Sequence, residues 1–149
     1  TSNRGGCHLR AYPVSHEILR KPVATDRFSF EGKARIVKIA EDMNAVVDSL
    51  TACKFAFFGT GLEEFAKALT AVTGVPHEAQ SLIRTGERIW NLERQCNSMN
   101  GFDESHDDLP ARFFSEEGSS SGAVRIVPID RQAFLQAREN YYRVRGYRQ

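Results

Sequence analysis

Cysteine is scarce and scattered in this chain: Cys7, Cys53 and Cys96 lie 46 and 43 residues apart, with no C-x-x-C anywhere. An odd, dispersed set builds no disulfide framework, and no pair is spaced to hold a metal by itself. Any metal site must therefore take ligands from elsewhere. A charge excess is missing too. Twenty Lys and Arg against nineteen Asp and Glu leave +1, which gives no reason to expect nucleic acid or a membrane surface as the main partner. No apolar run approaches membrane-spanning length and no signal-peptide pattern opens the chain, so a reducing cytoplasm is the expected compartment. The first residue is Thr1 and not methionine, which leaves room for an upstream segment carrying its own signal. Extended-chain signals are rare as well. Val124 to Ile129 is a short β-prone piece, and one hexapeptide makes no sheet, so the expected class is all-α.

What is present suits a compact helical domain. The 149 residues are 41% hydrophobic and 26% charged, enough to bury a core without staples, and one domain over 1–149 is the expectation. Residues 1–32 are irregular, with Gly5, Gly6, Pro13, Pro22 and Gly32, and only Ser15 to Lys21 could hold a short helix. From Lys33 onward Ile36, Ile39, Ala40, Met43, Val46, Val47 and Leu50 recur at three- and four-residue steps, which predicts one buried helix face. A second helix is expected from a Thr60-x-x-Glu63 capping box through Leu62, Phe65, Ala66, Leu69 and Val72, ended by Gly74 and Pro76. A third runs from Glu78 to about Asn100, with Leu82, Ile83, Ile89, Trp90 and Cys96 inward. Its Glu87, Arg88, Glu93 and Arg94 are expected in solvent. Residues 115–123, with the Gly118-Ser-Ser-Ser-Gly122 run, read as a mobile surface loop. Asp130 caps a final helix carrying Phe134, Ala137, Tyr141 and Val144, and Gly146 ends it.

The segment Asp48-Ser-Leu-Thr-Ala-Cys-Lys-Phe55 carries the most chemical information. A carboxylate there can accept hydrogen bonds from a heterocycle, and five residues later a thiol offers a soft ligand for an iron–sulfur cluster or zinc. In an unbroken helix the two would point about 140° apart, so one site can use both only if the helix ends or bends between them. Other candidates are weaker. His106 with Asp103, Asp107 and Asp108 imitates a hard-metal site, but an acidic loop before Leu109-Pro110 reads better as a cap for the short helix that follows. Tyr141, Tyr142 and Trp90 sit at helical spacing beside arginines, which favours packing over base stacking.

Five segments in order, NRGGCHLRAYP, AVVDSLTACKF, GERIWNLERQCN, GFDESHDDLPARFF and YYRVRGYR, resemble the C-terminal domain of the tungsten-containing aldehyde:ferredoxin oxidoreductases. The likeness runs nearly end to end. It implies a multihelical C-terminal domain of that type, a fragment of a larger anaerobic enzyme whose N-terminal pterin-binding domain and C-x-x-C-x-x-x-C region are absent here. It further implies oxidation of an aldehyde with water to a carboxylic acid, with ferredoxin as electron acceptor, on a tungsten (or molybdenum) bis-pterin beside a [4Fe-4S] cluster. This fragment alone is expected to be inactive, and homodimer formation is left open. The group also includes benzoyl-CoA reductase catalytic subunits, so reduction of an aromatic thioester is the alternative within it. A helical interaction module without cofactors is the alternative outside it.

By the same resemblance, Cys53 falls at the last of four cluster cysteines, and Asp48 at the aspartate of the pterin-binding D-x-x-G-L-C motif. His8 falls at an active-site histidine able to move a proton, and Arg4 and Arg10 at positions that contact the cofactor. The motif departs from the family at Thr51 and Ala52, which replace Gly-Leu. If the glycine supplies a positive φ, Thr51 adopts it at a cost. Ala52 falls at the position whose backbone contacts the cofactor, and the departure from Gly-Leu bears on it directly. Without the resemblance, a buried thiol, a solvated carboxylate and ordinary surface charges are the simpler readings of these residues.

Overall fold

A computed structural model describes residues 2–20 and 24–148. Its helices are α1 (Val14–Glu17), α2 (Lys33–Ser49), α3 (Leu62–Thr73), α4 (Ala79–Met99) and α5 (Arg131–Arg145), joined by short 3₁₀ turns at Ala56–Phe58, Glu104–His106 and Ala111–Phe114. Among the described residues the extended piece expected near Val124 makes only an isolated bridge, Ser121 to Val124, so the all-α class holds. No described helix is long and apolar enough to cross a membrane. The expected helix from Ser15 shrinks to one turn that starts at Val14. Lys21 and Pro22, at its far end, lie outside the described residues.

The centre of the molecule is α2 packed against α4 and α5, with α3 against α4. Helices α2 and α4 approach closely at Gly86, where an added Cβ would lie 2.0 Å from the Asp42 carbonyl oxygen and 3.0 Å from a Val46 methyl carbon. Val46, Ala66 and Leu82 make an apolar cluster where α2, α3 and α4 meet, covered by Leu50, Leu62, Phe65 and Leu69. Burial of such side chains contributes on the order of 25 cal/mol per Å² of apolar surface.

The face of α2 is rotated from the expected stripe. Ala40, Val46 and Val47 are buried, but Ile39 is 48% exposed, while Glu41, Asp42 and Asn44 are buried. Their partners explain why these polar residues sit inside. Arg145 of α5 donates to Asp42 and to Glu41 at 2.5 Å each, and the Tyr141 hydroxyl donates to Glu41 at 2.7 Å. Burial opposes the charge on Arg145, but Tyr141, Glu41 and Asp42 outweigh it and hold the guanidinium protonated. A buried ion group thus locks α5 to α2.

Four further expectations shift. The second helix is capped one residue later than Thr60/Glu63: the Glu64 carboxylate accepts from the Gly61 N–H at 2.8 Å, and the Thr60 hydroxyl turns back to the Ala56 carbonyl. Cys96 lies exposed, not inward. Of the four α4 charges expected in solvent three are paired, while Arg88 is exposed and makes no ion pair among the described residues. Glu87 meets Lys38 at 2.7 Å, Arg94 meets Asp107 at 2.5 Å, and Glu93 meets Arg10. In the acidic loop Asp103 caps the turn Glu104–His106, before Leu109-Pro110 and not after it. Asp107 is bound by Arg94 and the Tyr142 hydroxyl, and Asp108 by Arg131. That exposed Arg131 contact holds the Asp108 carboxyl at about 2. Among the described residues no group of three metal-ligating side chains converges.

Candidate functional site

Helix α2 ends between the two residues that the D-x-x-x-x-C spacing separates. Leu50 follows the last helical turn, and Thr51 takes the left-handed conformation at φ 53°. The Thr51 N–H donates to the Asp48 carbonyl and the Ala52 N–H to the Val47 carbonyl, both at 3.0 Å, the paired bonds of a Schellman stop. A β-branched residue therefore occupies the backbone geometry that glycine adopts most easily. The break meets the condition set by the helical geometry, since Asp48 stays on the last turn while Cys53 leaves it. Because the Ala52 N–H is used inside the stop, its carbonyl is the backbone group Ala52 can offer a ligand.

Asp48 is held from two sides. Its Oδ2 accepts from Arg10 at 2.9 Å and from the Lys54 ammonium at 3.1 Å, and Lys54 also donates to the Leu9 carbonyl at 2.8 Å. Oδ1 accepts nothing among the described residues, so one carboxylate oxygen is fixed and the other is open. Arg10 is buried and forks between Asp48 and Glu93, with its guanidinium carbon 5.0 Å from the centroid of the Trp90 ring. Arg145 stands over the same ring at 5.1 Å, so the fully buried Trp90 contacts both the Arg10 and the Arg145 ion groups. The N-terminal segment is tied to α4 through Asn3, which donates to the Trp90 carbonyl at 3.0 Å, and through Asn97, which donates to the Asn3 carbonyl at 2.6 Å.

The remaining candidates lie along that segment. Arg4 is exposed and donates through Nε to the Cys7 sulfur at 3.2 Å. Burial would raise the Cys7 pKa, but Arg4 and the backbone N–H groups of Leu9 and Arg10 outweigh it and lower it. His8 is exposed, with its ring 6.3 Å from that of Tyr12, and Tyr12 meets Phe55 edge-on at 6.4 Å. Cys53 is a free, exposed thiol without a hydrogen-bond partner among the described residues. The structure thus brings Arg10 and Asp48 into contact and sets the segment that carries Arg4 and His8 against the end of α2. Sequence reasoning missed Lys54, Glu93 and Trp90 as the groups that hold Arg10 and Asp48. Lys54 sat inside the segment of interest, but no pattern linked Glu93 or Trp90 to residue 10.

These residues suit a cofactor-binding edge: an open carboxylate oxygen for N–H donors, an exposed cation at Arg4, an exposed imidazole and an uncommitted thiol. From residue 1 to residue 149 the chain matches the family model described as "Aldehyde ferredoxin oxidoreductase, domains 2 & 3". It is 35% identical over 153 residues to the tungsten-containing aldehyde ferredoxin oxidoreductases of Pyrococcus furiosus and Pyrococcus horikoshii. The identity to that of Thermococcus kodakarensis is 34%. Each match covers 99% of this chain and 24% of the relative. The chain belongs to the aldehyde ferredoxin oxidoreductase family, and it spans about a quarter of the length of these relatives.

Proposed function

We propose that this chain is the helical part of a tungsten-dependent oxidoreductase that converts an aldehyde and water to a carboxylic acid and passes two electrons to ferredoxin in a reducing, cytoplasmic compartment. The observation that carries the reading is the Asp48 arrangement: a helix stop that separates a half-open carboxylate from a free thiol, in a chain whose whole length matches the family. The remaining domains of the enzyme would supply the other ligands, so the piece described here is inactive by itself.

A tungsten atom on two pterins, beside a [4Fe-4S] cluster, would supply the two-electron and then one-electron chemistry when bound. Asp48 Oδ1 would accept from pterin N–H groups, while Arg10 and Lys54 hold Oδ2 and fix the carboxylate plane. With its fork spent on Asp48 and Glu93, Arg10 serves by positioning; Arg4, which is exposed, is the cation able to meet the cofactor directly. The Ala52 carbonyl would line the same edge. Cys53, as a thiolate, would ligate one iron. His8 carries or accepts a proton at a ring nitrogen as water adds and the aldehyde hydrogen leaves, work that suits an imidazole near neutral pH.

The test uses the full-length protein purified without oxygen. Aldehyde-dependent reduction of ferredoxin is the expected activity. His8→Ala should retain tungsten and iron but turn over about 10²- to 10⁴-fold more slowly, the usual cost of removing a positioned acid–base group. A metal-loaded His8→Ala enzyme with unchanged kinetics would remove His8 from the chemistry. Reduction of an aromatic thioester in place of aldehyde oxidation would favour the other branch of the family.

A further inference from the structure

Tyr12 is held in a backbone conformation that its sequence disfavours twice. Its φ is 44°, a region bulky side chains rarely enter, and the residue before a proline, here Pro13, is normally driven to extended geometry. Such strain persists only where the surroundings fix it, and it gathers at functional sites. The surroundings here are specific. Buried Asn44 donates to the Ala11 carbonyl at 3.0 Å, Lys54 donates to the Leu9 carbonyl at 2.8 Å, and Arg10 between them is fixed to Asp48 and Glu93. Three clamps from α2, from the segment after it and from α4 therefore set the run Leu9 to Ala11 and force the turn at Tyr12. The turn sets the Tyr12 ring against two others. One is exposed His8, with centroids 6.3 Å apart, and the other is Phe55, whose side is 67% exposed although it is large and apolar.

We infer that Tyr12, backed by Phe55, is the specificity-determining wall of the site, packing against the hydrocarbon body of the substrate while His8 faces its reacting end. The inference rests on the proposed aldehyde oxidation and deepens it. A strained tyrosine and an exposed phenylalanine offer a continuous apolar and aromatic surface beside the imidazole, which favours substrates with an aryl or long alkyl group over short ones. An aromatic edge contact of this kind discriminates through binding, so its effect belongs to KM more than to kcat.

The experiment compares propanal with 3-phenylpropanal, which differ by one phenyl ring, as substrates of the full-length enzyme. Tyr12→Asn removes the ring and keeps a residue that tolerates positive φ, so the backbone turn is preserved. Phe55→Ala is a second probe at an exposed position, where truncation spares the core. Each should lower the ratio of kcat/KM for 3-phenylpropanal over propanal about tenfold, carried by KM for the phenyl substrate, and Tyr12→Phe should restore the ratio. An unchanged ratio in both Tyr12→Asn and Phe55→Ala, or an equal loss on both aldehydes, overturns the wall. A wild-type enzyme that oxidises neither aldehyde overturns the functional reading, and this proposal with it.

Discussion

Thr51 occupies a backbone position that glycine fills at the ends of α4 and α5. Helices α4 and α5 stop at Gly101, with φ 85°, and Gly146, with φ 75°, and each closes with the same pair of backbone bonds seen at Thr51. For an L-residue the left-handed region costs about 1–2 kcal/mol, more for a branched Cβ, whereas glycine pays about 0.5–1 kcal/mol through its looser unfolded chain. The first term is larger. Thr51→Gly should therefore stabilise the protein by about 1 kcal/mol, read as a higher denaturation midpoint with an unchanged m-value. A lower midpoint would mean that the threonine side chain contributes something the backbone account omits. Asp48 shows the same dependence on neighbours. Its carboxylate is useful to a ligand only because Arg10 and Lys54 occupy one oxygen and leave the other open.

At the scale of helices, Gly86 decides how closely α4 can lie on α2. Elsewhere in a helix, Gly→Ala gains up to about 1 kcal/mol from propensity. Here the new methyl would meet the Asp42 carbonyl at 2.0 Å, a backbone group that cannot move aside without shifting α2. Overpacking wins. Gly86→Ala should destabilise the protein by about 3 kcal/mol in denaturant unfolding, and because α2 carries Asp48 and α4 carries Glu93, it should also loosen the Arg10 clamp. A neutral or stabilising Gly86→Ala would show that the two helices are not in contact there. The sequence made much of this layer legible. The four long helices, the Asp130 cap and the glycine stops of α3 and α5 follow from local chemistry. The buried face of α2 did not, because Glu41 and Asp42 are placed inside by Arg145, over 100 residues away, and no periodicity in α2 encodes that partner. For the same reason Glu93 read as a solvated charge, while the Asp48-to-Cys53 segment stood out from its own residues.

Across the whole molecule, two ion groups, each built on a buried arginine, meet on Trp90. Arg145 ties α5 to α2 on one side, and Arg10 ties the N-terminal segment to the end of α2 on the other. These ion groups hold the N-terminal segment, with Arg4, His8 and Tyr12, against the end of α2, with Asp48, Ala52 and Cys53 beside it; the match to the relatives covers 24% of their length. Under the proposed function these residues hold both cofactors, the pterin through Asp48 and the cluster through Cys53. Tungsten and iron content per mole of full-length protein, purified without oxygen as wild type, Asp48→Ala and Cys53→Ala, tests it most directly. Asp48→Ala should lose most of its tungsten and Cys53→Ala the cluster iron, with Cys7→Ala and Cys96→Ala like wild type. Wild-type tungsten in Asp48→Ala together with wild-type iron in Cys53→Ala would contradict it.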